Sequence, residues 1–226
     1  MKKYFIIIGC VALVAFMVAL FSGCSLQSNK ENVSDIRYGI FDGECEEYNA
    51  TFVYGMREKP YVLDGTSNKG VEFGIITVVF SNRPSENETV SYSLKIGDET
   101  YSGTLEKSPY SNEYMADVGK LATEDSVMSL SVSVGSEEET ATNLINKSKS
   151  WQISSSKAKE IGLKALKADI DKIENEKQNY EVYVKIISQQ QTNFGKYYWN
   201  VSIVSAKGEK HSVLFSTNSE DILVKN

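Results

Sequence analysis

The chain has 226 residues, 41% of them hydrophobic, with 13 Tyr, 9 Phe and only 3 Pro. That is enough apolar material for real cores, so composition excludes disorder, and the aromatic richness favours strands. The formal net charge is −6; without residues 1–23, which hold Lys2 and Lys3 and no acid, 22 basic residues face 30 acidic ones, a net of −8. Such a body argues against a nucleic-acid partner and against adhesion to anionic lipid by charge alone, since both need clustered Lys and Arg.

The chain opens Met1-Lys2-Lys3, a short basic start. Tyr4 to Phe21 is then 18 residues without a charge, followed by Ser22-Gly23-Cys24-Ser25 and a polar stretch from Gln27 to Asn32. A basic start, an apolar run and small residues before a cut form an export signal. Phe21-Ser22-Gly23-Cys24 resembles the lipobox of bacterial lipoproteins, with Phe21 standing where that family usually has Leu. The resemblance implies that Cys24 receives diacylglycerol and becomes the new N-terminus, with 24–32 as a lipidated tether. An uncleaved anchor is the alternative: as a helix the run spans about 27 Å, just enough for a bilayer core. The lipobox reading is preferred because a spanning helix has no need of Ser-Gly-Cys at its end. Either reading places the body outside the cytoplasm.

Residues 33–146 show period two. Val90, Tyr92, Leu94 and Ile96 alternate with Ser91, Ser93 and Lys95, and Met128, Leu130, Val132 and Val134 alternate with serines. Successive strand side chains point to opposite faces, so each segment has an apolar and a polar face. Phe73 to Phe80 is a continuous apolar run, which predicts a central strand buried on both sides. Gly97-Asp98 predicts a two-residue hairpin. Further strands are expected at Ile36–Phe41, Ala50–Tyr54, Tyr101–Leu105 and Tyr114–Val118. Seven or more short strands at this spacing predict an immunoglobulin-like β-sandwich, without the Cys…Trp…Cys core of antibody domains.

Residues 151–226 read as a second module, α+β, with a linker near Ser148–Ser150. Ser154-Ser155-Ser156 offers helix N-caps. Leu163, Leu166, Ile170 and Ile173 form one stripe, with Glu160, Lys164, Lys167 and Asp171 opposite as a solvated face. Strands are expected at Tyr180–Ile187, Tyr197–Val204 and His211–Ser216, with the helix stripe buried on the sheet. Ala158, Ile161, Leu163 and Ala165, then Tyr180–Val184, Trp199–Ile203 and Val213–Leu223, resemble the PepSY-type module; the chain departs from it at Asn218-Ser219-Glu220-Asp221, where the family has a Gly. The resemblance implies a non-catalytic role in binding or inhibition.

Residue inventory narrows the chemistry. His211 is the only histidine, so zinc sites built on two or three His are excluded, and no Gly-x-Ser-x-Gly elbow accompanies it. Cys10, Cys24 and Cys45 are the only cysteines, so an acylated Cys24 leaves Cys45 as the one thiol of the mature body. Its neighbours Asp42, Glu44, Glu46 and Glu47 oppose thiolate formation, and they lack the spacing of a calcium loop. No phosphate-binding glycine loop occurs. Tyr197 and Trp199 should share one strand face and Tyr198 the other, most of them as core. The expectation is therefore a lipid-anchored, extracytoplasmic, non-enzymatic module that binds or inhibits a protein or peptide and takes no cofactor and no metal. The alternatives are an envelope enzyme using a carboxylate pair, which no sequence pattern excludes, and a structural or regulatory surface lipoprotein.

Overall fold

The computed structural model describes residues 32–119, 122–189 and 193–226; the export signal expected at 1–23 and Cys24 lie outside them. Eight strands come first: β1 (Asn32–Glu44), β2 (Tyr48–Glu58), β3 (Gly70–Phe80), β4 (Val90–Ile96), β5 (Glu99–Lys107), β6 (Glu113–Asp117), β7 (Met128–Val134) and β8 (Thr140–Asn146). They pair in the order β1-β2-β3-β6-β5-β4-β7-β8, every pair antiparallel. β8 then returns to β1 through Phe41↔Asn146 and Asp42↔Ile145. The ring is closed, so the immunoglobulin-like sandwich expected over 33–146 is corrected to an eight-stranded antiparallel barrel. Alternation cannot tell the two apart, because both architectures need strands with one apolar face. Closure is decided by β1, which is long enough, at 13 residues, to pair with β2 and still reach β8.

The barrel interior is filled. Phe41, Tyr48, Phe52, Ile76, Leu94, Met128 and Leu130 are fully buried, each worth about 1.5–3 kcal/mol relative to an exposed side chain. The β7 serines lie between its buried Met128, Leu130 and Val132, as the alternation predicts. The run Phe73–Phe80 behaves differently from expectation. Ile76 and Val78 face the interior core, but Ile75, Thr77 and Val79 are only half-buried, because a barrel wall has one dry face.

After β8 a short 3-10 turn at Ser148–Ser150 leads into α1 (Ser155–Ala165) and α2 (Lys167–Asn175). Ser154 caps α1, its Oγ accepting from Lys157 N at 3.3 Å. The single expected helix is thus two, broken at buried Leu166. Four strands follow: β9 (Tyr180–Gln189), β10 (Asn193–Ser205), β11 (Lys210–Ser216) and β12 (Ile222–Lys225). Their antiparallel sheet is covered on one face by the helices. Ile161, Leu166, Ile170 and Ile173 pack with Val182, Val184, Trp199, Val201 and Phe215, while Leu163 is only half-buried. α1 comes so close to β10 that a Cβ on Gly162 would stand 2.3 Å from Val201 Cβ.

The α+β module expected over 151–226 is corrected as well. β9 runs parallel to β1 from Asn32↔Glu181 to Ile36↔Val184, so all twelve strands form one continuous sheet. Ile40 of the barrel wall sits inside the helix-covered core, with Val33, Ile36 and Val53 packed against it. Residues 32–226 form one compact unit. A register shift between Arg37 and Gly39 bends β1 where it passes from one region to the other. Gly55 is required there, since a Cβ on it would lie 2.1 Å from Ile36 O.

Candidate binding site at the barrel mouth

Strand order creates a mouth at one end of the barrel. β3 and β4 are separated by β6 and β5, so the link 81–89 must cross the barrel end. The β1–β2 turn at 45–47 and the β7–β8 turn at 135–139 open at the same end. Together they surround a pocket of about 440 Å³. Its frame is held by backbone: Ser81 N donates to Glu47 O at 2.8 Å and Gly135 N to Thr89 O at 2.9 Å. Glu88 Oε2 accepts from Ser85 N at 2.7 Å and fixes the crossing link.

The floor is aromatic and the rim acidic. Tyr48 is buried and its hydroxyl donates into the barrel, with Thr140 O at 2.8 Å and Leu130 O at 3.1 Å. Burial, reinforced by Cys45 and Glu47, pushes this phenol far above its ordinary range, so it stays neutral. Phe80 meets Tyr48 edge-on at 6.1 Å and Tyr114 at 5.3 Å. Glu47, Glu88, Glu137 and Glu138 line the pocket, with Arg83 as the one cation among the described residues. A low-dielectric floor under a predominantly negative rim focuses field toward the pocket, here favouring positive charge.

Cys45 lies next to the pocket, in the turn before Tyr48, half-buried, its thiol donating to Tyr48 O at 3.4 Å. Burial pushes the thiol up, and Glu47 adds to the effect. The direction is the one the neighbouring carboxylates suggested, but desolvation is the larger cause. His211 is far along the chain on β11 and half-buried under α2, with Nδ1 3.5 Å from Asp169. The two are not brought together in one site. Trp199 and Tyr197 are both buried on the helix-covered face, Trp199 Nε1 donating to Ile153 O at 3.0 Å, while Tyr198 is half-buried. Of the acidic run, Asp42 is buried: Tyr197 donates its hydroxyl hydrogen to Asp42, and Lys147 Nζ lies 3.0 Å from Asp42 Oδ1. Among the described residues no three side chains converge as a metal site, and no helix is long and apolar enough to cross a membrane.

A buried charge cluster at the junction of barrel and sheet had no signature in the sequence. Asp35 on β1 is 7% exposed, with Arg37 Nε at 3.8 Å and Lys185 Nζ of β9 at 3.7 Å; Arg57 of β2 pairs across from it. Burial pushes the Asp35 carboxyl up even against these cations, and burial pushes Lys185 down. Desolvation therefore exceeds the attraction inside the cluster. Arg57 is itself engaged by Asp117 and lies over the Phe73 ring at 5.0 Å. These residues sit in three different strands, so only pairing reveals them.

No family model matches the chain, and no curated protein or solved structure matches it.

Proposed function

We propose that this chain is a lipid-anchored, extracytoplasmic binding protein that presents its barrel mouth to a positively charged segment of a protein or peptide. The observation that carries the anchor is the N-terminal order itself: Lys2-Lys3, eighteen uncharged residues, then Ser22-Gly23-Cys24 and a polar tether. Two acyl chains on Cys24 hold firmly where one would be marginal, at about 0.8 kcal/mol per buried methylene. The mouth supports the binding reading, because concave sites at barrel mouths with an apolar floor and a few converging polar groups are where ligands dock. Four glutamates against one arginine set the sign of the ligand.

Two measurements test this reading. Metabolic labelling with a clickable fatty acid should mark the wild-type chain and leave Cys24→Ala unlabelled; label retained on the variant overturns the anchor. Fluorescence anisotropy with Lys/Arg-rich and Glu-rich peptides of equal length should show salt-sensitive binding of the basic set only. Glu137→Lys with Glu138→Lys should weaken that binding at least tenfold with folding unchanged. Equal affinity for both peptide sets, or indifference to the double substitution, sinks the mouth as the site.

A further inference from the structure

The link between β2 and β3, residues 59–69, is an exposed loop held in one shape by two buried carboxylates. Glu181 of β9 is fully buried, and its Oε1 accepts from Asp64 N at 2.9 Å and Gly65 N at 2.7 Å. Glu58, 2% exposed, accepts from Asn68 N at 2.8 Å. Each carboxylate thus carries a desolvation cost and supplies the loop with acceptors in return. What this clamp presents is apolar: Tyr61, Val62 and Leu63 are 52%, 41% and 53% exposed. Three consecutive apolar side chains on a tethered, shaped tip differ from singly exposed residues such as Tyr110 or Val127; the other exposed apolar triplet, Ile222 to Val224, is held in strand β12 rather than in a loop.

The position of the tip relative to the start of the body says what covers it. Asn32 begins β1, and its Nδ2 donates to Gly65 O of the loop at 3.1 Å. Only eight residue steps separate Asn32 from Cys24, a reach of at most about 29 Å. The tip lies two to four residues from Gly65, within about 14 Å of it along the chain. A bilayer that holds the Cys24 lipid therefore lies within range of this loop. β2, eleven residues long, runs from the mouth at Tyr48 to the loop after Glu58, about 34 Å at strand rise. A bilayer at the loop leaves the mouth pointing outward. Tyr, whose ring is apolar and whose hydroxyl is polar, suits the headgroup level, and the exposed Lys59 and Lys69 at the loop base are placed to reach phosphates despite the acidic body.

We infer that Tyr61, Val62 and Leu63 form a second, non-covalent membrane contact that seats the barrel on the lipid surface with its mouth facing away. This rests on the lipid-anchor reading. The test uses the full-length chain purified from membranes and reconstituted into phosphatidylcholine–phosphatidylglycerol vesicles, with the intact mass reporting acylation independently. An environment-sensitive dye is placed on Leu63→Cys or on Glu138→Cys at the mouth, each in a Cys45→Ser background. With acylation shown by mass, the dye at 63 should shift to the blue and be quenched by doxyl-labelled lipid several-fold more than the dye at 138. Acylated protein with both dyes in water overturns the contact and leaves the anchor standing. A blue shift at 63 without lipid quenching overturns it too, since protein rather than lipid then covers the tip. An unacylated mass removes the anchor, and the inference with it. As a second readout, vesicles should protect the Lys69–Gly70 bond from trypsin in the wild type and lose that protection in the variant Tyr61→Ser, Val62→Ser, Leu63→Ser; equal cleavage of both proteins overturns the inference.

Discussion

The barrel buries its apolar side chains against one another, whereas the four strands after it bury theirs under two helices. In the barrel every strand has two partners, and no edge remains to be covered. The later sheet ends at β12, a four-residue strand with one neighbour and with Ile222, Leu223 and Val224 exposed. One region solves the edge problem by closure, the other by a short terminal strand and a helical layer. They are joined by β1, whose start pairs with β9 and whose end pairs with β8. Long strands can therefore belong to two cores at once, and such a strand makes two apparent modules into one unit.

The largest expected effect tests that unity. Phe52→Ala in the barrel and Trp199→Ala under the helices each remove a fully buried aromatic and should cost about 3–5 kcal/mol. Both tryptophans, Trp151 and Trp199, lie in the helix-covered region, so their emission reports that region alone. In urea, each variant should lower a single transition seen identically by tryptophan emission and by far-UV circular dichroism. If Phe52→Ala moved the circular dichroism transition and left the emission transition in place, the two regions would be independent after all.

A smaller effect probes a specific tie between them. Asp42 of β1 accepts from Tyr197 of β10 and pairs with Lys147 beyond β8. Asp42→Ala leaves a buried phenol without its acceptor and should cost about 2–3 kcal/mol. Asp42→Asn keeps an acceptor for Tyr197 and should cost less. Chemical denaturation of the pair ranks them; equal losses would mean that the charge, not the hydrogen bond to Tyr197, is what matters.

The smallest effect compares the regions by pH. Burial pushes the phenols of Tyr48 in the barrel and of Tyr183 and Tyr197 in the later sheet far above 10, with Glu181 and Asp42 adding to it for the last two. A group whose pKa is raised by folding contributes stability that is complete below its unfolded value near 10 and is lost above it. Each phenol should thus cost up to about 1.4 kcal/mol per pH unit above 10, and Tyr197→Phe should flatten that slope by one such increment. A denaturation midpoint unchanged between pH 9 and pH 11 would show that these hydroxyls reach solvent.

Much of the local structure is legible in residue order. The β7 alternation, the turn at Gly97 with φ of +59° and the Ser154 cap all depend on neighbours a few residues apart. The candidate site was not legible in the same way. Glu47 stood in the acidic run, but Arg83 and Glu88 come from the crossing link and Glu137 from the β7–β8 turn, and only the fold brings them around one pocket. The same is true of Asp35, Arg37 and Lys185, whose charges meet through strand pairing.

What the sequence by itself determined, then, is which residues can line an apolar face and which segments become strands or helix. Only tertiary structure decided that the first eight strands close into a barrel and that β9 continues its wall. The physical reason is separation: Phe41 meets Asn146, and Asn32 meets Glu181. A period of two is written into adjacent residues, but it is equally satisfied by a sandwich and by a barrel. The choice between them falls to contacts more than a hundred residues apart, where the burial shared by β1 with two cores outweighs the entropy of bringing such distant segments together.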